Sequence, residues 1–216
     1  MAKQTINIGT SANDGTGSTL REAFDITNDN FTELYDGTGG LLHKIGGTNF
    51  SNSLLIGHST TGTLSSAQNN VGIGIEALQS LTSGDRNIAI GKAAGKFINN
   101  GSANIIIGDL AGDSLTSGGS NIAIGRNALS SEDTTAGTVA IGHRVLQNQN
   151  ATSTSYNVAV GYTAGKEITT GIKNTIIGGL AGDALTTGQD NTLLGYNAGA
   201  NATGNNSIFY TCCNFF

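Results

Sequence analysis

The 216-residue chain contains no proline and no tryptophan, one methionine, two cysteines and only 12% charged residues. Disordered chains are rich in charge and proline and poor in β-branched residues. This shortage therefore argues for an ordered fold in which the 33 glycines make turns at fixed places. Basic runs are missing too: ten Lys and Arg against fifteen Asp and Glu give a net charge of -5, which argues against nucleic acid as a partner. No stretch approaches the roughly 18 consecutive apolar residues of a membrane-spanning helix, so no membrane insertion is expected. The opening Met1-Ala2-Lys3-Gln4-Thr5-Ile6-Asn7 has no apolar core of signal-peptide length, and the expectation is synthesis in a cytoplasm without the usual export. Cys212 and Cys213 are adjacent, with no second pair to complete a zinc site, and read as reduced and structurally idle.

What the chain has in abundance is one phrase. Asn87-Ile88-Ala89-Ile90-Gly91 returns as Asn104-Ile105-Ile106-Ile107-Gly108, Asn121-Ile122-Ala123-Ile124-Gly125, Asn157-Val158-Ala159-Val160-Gly161, Asn174-Thr175-Ile176-Ile177-Gly178 and Asn191-Thr192-Leu193-Leu194-Gly195. Looser copies close at Gly57, Gly74 and Gly142. The closing glycines keep a 17-residue step throughout, except for a longer one from Gly142 to Gly161. A fixed short period is the signature of a stacked repeat.

Within each phrase, aliphatic and β-branched residues recur at period two, which means strand. The central position between them holds Leu55, Gly72, Ala89, Ile106, Ala123, Ala140, Ala159, Ile176 and Leu193, none of them polar. Both strand faces thus look buried, whereas a strand of a monomeric solenoid should have one solvated face. The reading is that the flanking isoleucines fill the coil and the central residue faces a second copy of the chain. Leu55, Ala89, Ile106, Ala123, Ala140, Ala159, Ile176 and Leu193 are accordingly the expected trimer contacts.

Three residues past each glycine stands a small apolar residue, usually alanine. Seven past it stands Leu64, Leu81, Ile98, Leu115, Ile168 or Leu185, and a further glycine often follows at ten. Each unit reads as one coil of a narrow parallel β-solenoid, with the asparagine that opens each strand placed to form an amide ladder. Glu132 and Gln149 break the seventh position, and the two-residue insertion falls at 147–155, which reads as an irregular turn on the outside. Nine or ten coils at about 4.8 Å make a rod of roughly 45 Å. Asn206-Ser207-Ile208-Phe209-Tyr210 opens a last strand with Tyr210 in the place of glycine, before an apolar tail at 211–216.

Ahead of the repeats (53–210) and a glycine-rich connector (37–52) lies one expected helix, about 19–36. Thr19 and Glu22 form a capping box, and Leu20, Phe24, Thr27, Phe31 and Leu34 follow at heptad spacing. Two phenylalanines on one stripe need burial, so Leu20, Phe24, Phe31, Leu34 and Tyr35 are candidate contacts to symmetry mates or a partner.

Asn7-Ile8-Gly9-Thr10-Ser11-Ala12-Asn13-Asp14-Gly15-Thr16-Gly17, then Leu20-Arg21-Glu22-Ala23-Phe24, Asn28, Asn30-Phe31 and Glu33-Leu34-Tyr35, resembles an N-terminal module of tailed-phage fibre and baseplate-associated proteins. The resemblance implies attachment of residues 1–36 to phage baseplate or tail proteins, and so a place in the virion. The repeats resemble the head repeats of trimeric autotransporter adhesins of the YadA type, which phage fibres share, although the unit here is longer than the commoner one. That likeness implies a left-handed β-roll wound from three chains, a homotrimer.

Chemistry finds little footing. His43, His58 and His143 are scattered; the last two share a slot but stand five coils, about 24 Å, apart. No metal, cofactor or catalytic residue is expected. Asp109, Asp113, Glu132, Asp133, Asp183 and Asp190 could supply a glycosidase pair only if a cleft held them, and a uniform solenoid offers none. The slot holding Thr82, Thr116, Thr169, Thr186 and Thr203 is interrupted by Asn99, Asp133 and Asn150. Two functions remain in view: a structural phage tail fibre, and an adhesin binding a host-surface glycan or protein through exposed corners and the 147–155 loop.

Overall fold

The computed structural model describes residues 43–45, 50–56 and 65–211. The expected helix, with Leu20, Phe24, Phe31, Leu34 and Tyr35, lies outside the described residues, as does the tail beyond Thr211.

The short strands are β1 (His43–Ile45), β2 (Phe50–Ser51), β3 (Leu54–Ile56), β4 (Ala67–Gln68), β5 (Val71–Ile73), β6 (Ile88–Ile90), β7 (Ile105–Ile107), β8 (Ile122–Ile124), β9 (Val139–Ile141), β10 (Val158–Val160), β11 (Thr175–Ile177), β12 (Thr192–Leu194) and β13 (Ile208–Tyr210). β3, β5 and then β6 through β13 stack in chain order as one parallel sheet, while β2 pairs with β4. Register follows the repeat: Ile88 faces Ile105 and Ile105 faces Ile122. The inserted coil keeps register by looping out, so that Ala140 still faces Ala159. The fold is the expected β-solenoid, with one three-residue strand per coil and turns in the remainder; no helix occurs among the described residues.

At the far end the last coil is one residue short. Leu194 faces Tyr210, so Thr211, not Tyr210, stands against the column of closing glycines. That column is tight. Gly108 has φ of +136°, and a Cβ there would lie 2.6 Å from the Gly125 carbonyl. Backbone packs on backbone, which only glycine allows.

The interior is narrow and filled by complementary sizes. Where the central strand residue is small, the residue four past the glycine is large: Gly72 with Leu78, Ala123 with Leu129, Ala140 with Leu146. Where the central residue is large, the partner is glycine: Ile106 with Gly112, Ile176 with Gly182, Leu193 with Gly199. Two coils are small at both places, Ala89 with Gly95 and Ala159 with Gly165. Their space is taken by neighbours: Leu78 reaches within 3.5 Å of a Cβ placed on Gly95, and Leu146 and Ile176 within 3.0 Å of one placed on Gly165. Close packing is thus met coil by coil and between coils.

The asparagine ladder forms as expected. Asn87 Nδ2 donates to Asn70 Oδ1 (3.1 Å) and to the Gly101 carbonyl (2.8 Å), while Asn70 Oδ1 also accepts from the Asn87 backbone N–H. The pattern repeats at Asn104, Asn174 and Asn191. These amides are buried and spend their hydrogen bonds along the stack, which is the condition for burying them without penalty. Ser53 starts the ladder and Ser207 ends it.

Each regular coil bends through left-handed residues that are often not glycine, among them Arg86, Ala103, Ser120 and Lys173 in one shared slot. A left-handed L-residue costs about 1–2 kcal/mol. Ala103 is exposed at φ of +60°. Ala103→Gly is expected to stabilise the fold by about 1 kcal/mol, read as a higher denaturant midpoint with an unchanged slope.

Candidate functional site

The structure inverts the expected strand faces. Leu55, Ala89, Ile106, Ala123, Ala140, Ala159, Ile176 and Leu193 are each 0% exposed within a single chain and form part of its core. They cannot serve as contacts to a second copy. The flanking residues instead point outward, with Ile56 at 41%, Ile90 at 37% and Leu194 at 46% exposure. The reason is room: a coil that takes glycine or alanine at its centre cannot admit two β-branched side chains from the same strand.

The outward positions make a continuous apolar stripe two columns wide. One column runs Ile56, Ile73, Ile90, Ile107, Ile124, Ile141, Val160, Ile177 and Leu194; the other runs Leu54, Val71, Ile88, Ile105, Ile122, Val139 and Val158, then Thr175 and Thr192. All are half-buried or exposed. Isolated surface isoleucines are ordinary, but an unbroken apolar ladder of this length marks an interaction surface.

Beside the stripe, one past the closing glycines, runs a mixed ridge. Arg126 Nε meets Asp109 Oδ2 at 3.4 Å, and His143 stacks on Tyr162 with ring centres 5.3 Å apart and planes at 8°. Tyr162 and Tyr196 are well exposed. Among the described residues no three His, Cys, Asp or Glu side chains come together, and no helix is long and apolar enough to cross a membrane.

Glu132 and Gln149 also sit elsewhere than expected. Both are 0% exposed, inside the coil rather than in an outer bulge. Gln149 Nε2 donates to Glu132 Oε2 (2.9 Å) and to Thr138 Oγ1 (3.3 Å), and Gln149 Oε1 accepts from Asn157 Nδ2 (2.7 Å). Glu132 Oε1 accepts the backbone N–H groups of Asp133 and Thr135, both at 3.2 Å. Thr138 interrupts the asparagine ladder here, and Gln149 supplies the acceptor that an asparagine would have offered Asn157. Within 147–155 only Asn150 and residues 152–154 are exposed. The departure from aliphatic residues in two consecutive coils signals this cluster in the sequence, once the insertion's stranded N–H groups are considered.

A third outward face carries a groove of about 660 Å³ lined by two columns, Ser80, Phe97, Ser114 and Ser131 beside Thr82, Asn99, Thr116, Asp133 and Asn150. Phe97 is 47% exposed, with Lys96 Nζ 5.3 Å from its ring centre and 3.0 Å from Glu76. Just outside it, burial pushes the Asp113 carboxyl above its ordinary range, against the pull of its own and the Ser114 backbone N–H and of Lys96. Its Oδ1 has no partner. A raised folded value means that the carboxylate costs stability at neutral pH and that the cost fades as pH falls through that value. Asp113→Asn is therefore expected to stabilise the protein at neutral pH by less than about 1 kcal/mol, given the group's partial exposure. Unfolding curves of the two proteins should converge in acid.

Comparison with known proteins finds no matching family model, no significantly similar curated protein and no significantly similar solved structure.

Proposed function

We propose that the chain is a structural component of a phage tail, a homotrimeric fibre that docks on baseplate or tail proteins through residues 1–36 and projects the β-solenoid as a stiff shaft or head. The observation that carries this reading is the outward apolar stripe. Nine consecutive coils of one chain present it on the same side, and a second and third copy are the simplest cover for so long and regular a face. The number three, the left-handed winding and the virion location rest on the resemblance of the repeats to YadA-type heads and of residues 7–35 to the phage attachment module. Its role is mechanical: parallel coils bonded backbone to backbone resist bending, and a fibre places whatever it carries at a distance.

Light scattering tests the assembly. The expected species has three times the 21.8 kDa mass of one chain, and a stable species of 21.8 kDa overturns the reading.

A second reading, an adhesin that binds a host-surface glycan or protein, is favoured by the groove beside Phe97, which the shaft has no structural need of.

A further inference from the structure

Repeats of one plan make departures from that plan informative. On the groove face one column is mostly threonine, and the threonines bond along the stack: Thr82 Oγ1 donates to the Asn99 carbonyl at 2.9 Å and Thr169 Oγ1 to the Thr186 carbonyl at 3.3 Å. The neighbouring column holds Ser80, Phe97, Ser114 and Ser131 within the groove and Asn148, Glu167, Ala184 and Asn201 beyond it. In the threonine column the three residues that lack a hydroxyl, Asn99, Asp133 and Asn150, all line the same groove, and so does Phe97, the one aromatic residue of the neighbouring column among the described residues. Asp133 Oδ1 accepts from Thr116 Oγ1 along the stack, but folding calls for none of the other three. Phe97 projects an exposed ring among hydroxyls, off the apolar stripe, and the Asn99 and Asn150 side chains make no hydrogen bond to another described residue.

We propose that this groove binds a neutral oligosaccharide lying along the solenoid axis, which deepens the adhesin reading and rests on it. A pyranose has an apolar face of C–H groups and a rim of hydroxyls that both donate and accept. An exposed aromatic ring takes the first; amides, hydroxyls and one carboxylate take the second. Phe97 is the stacking platform. Asn99, Ser114, Ser131, Asp133 and Asn150 line the path, and successive coils rise by about 4.8 Å, close to the length of one sugar in an extended chain.

The charge in the groove selects the ligand. Asp133 is the only formal charge lining it, and the nearby Lys96 is committed to Glu76. An anionic sugar would meet an uncompensated carboxylate. The site also stays open in an assembly. Leu115, inward between Ser114 and Thr116, and Ile106, inward between Ile105 and Ile107, both approach the space beside Gly112, to 3.0 and 3.1 Å of a Cβ placed there. Their outward neighbours, groove on one segment and stripe on the other, consequently face different sides of the coil.

The full-length protein is to be applied to an array of neutral and anionic oligosaccharides, and any neutral hit titrated by calorimetry. The expected result is binding of a neutral oligosaccharide, weakened about tenfold by Phe97→Ala and by the shape-preserving Asp133→Asn, and unchanged by Tyr196→Ala on the other ridge. Circular dichroism checks that each variant is folded. Failure to bind any neutral oligosaccharide, binding of anionic ones alone, or full affinity in both groove variants overturns the proposal. None of these outcomes changes the mass in solution, so the fibre reading stands or falls separately.

Discussion

Ile107→Asp combined with Ile124→Asp should yield a folded chain that no longer assembles, with the 21.8 kDa mass of one chain in place of three times that mass and an unchanged β-type circular dichroism spectrum. Both residues point outward from neighbouring strands β7 and β8 and are half-buried in the single chain. Covering them in an interface contributes about 1 kcal/mol each per chain, part of the roughly 1.5–3 kcal/mol of a fully buried side chain. Loss of that contribution is the lesser effect. Two carboxylates per chain, brought together from three chains in a dry interface, would cost several kcal/mol per ion. In the isolated chain the same carboxylates stay in water and the coil is untouched.

Ala123→Asp, one residue away, should behave in the opposite manner. Ala123 is fully enclosed, in register with Ile106 and Ala140 and in the same coil as the buried Leu129. A carboxylate there has no donor and no water, and the chain should fail to fold or should aggregate. The pair of variants separates the two faces of one strand. A folded monomer from Ala123→Asp, or an intact trimer from the double isoleucine variant, would refute the assignment.

That contrast also shows what could be read in the residues beforehand. The repeat period, the strand in each coil and the asparagine ladder were legible because each depends on spacing alone, and spacing survives without coordinates. Which face of the strand is interior depends on volume. Alternation at period two tells only that neighbours point to opposite sides. The deciding signal was the smallness of Gly72, Ala89, Ala123, Ala140 and Ala159, since so short a coil has little space and larger side chains are left for the outside. Pairings such as Ile106 with Gly112 could have been noticed at once, but only a known fold explains why residues six apart exchange volume. The groove was less legible still. Asn99, Asp133 and Asn150 registered as gaps in a threonine column, and their convergence with Phe97 needs the two columns to be neighbours in space.

Glu132→Leu should be among the most damaging single changes in the chain, costing about 3–5 kcal/mol in chemical unfolding at fixed protein concentration. Leucine suits the slot in other coils, as Leu81, Leu115 and Leu185 show, so volume is not the obstacle. The obstacle is the two-residue insertion in the following coil. In a regular coil the N–H eight past the glycine finds a carbonyl of the next coil, as Thr82 finds Asn99 and Thr116 finds Asp133. At Asp133 and Thr135 the next coil is displaced, and the Glu132 carboxylate takes those N–H groups in its place while its other oxygen accepts from Gln149. Leucine would leave two backbone donors and the Gln149 amide short of an acceptor in an enclosed space. Glu132→Gln keeps one oxygen for the backbone pair but sets its NH2 against the Gln149 Nε2 donor, so it should cost less than leucine, about 2 kcal/mol. If the carboxylate exists to bridge the insertion, then regularising the coil, by removing Thr152 and Ser153 with Gln149→Leu and Thr138→Asn, should make leucine at position 132 nearly neutral. The coupling between Glu132→Leu and those changes should exceed about 2 kcal/mol, well outside the range of additivity for independent sites. Equal costs of Glu132→Leu in both backgrounds would mean that the buried carboxylate has some other role.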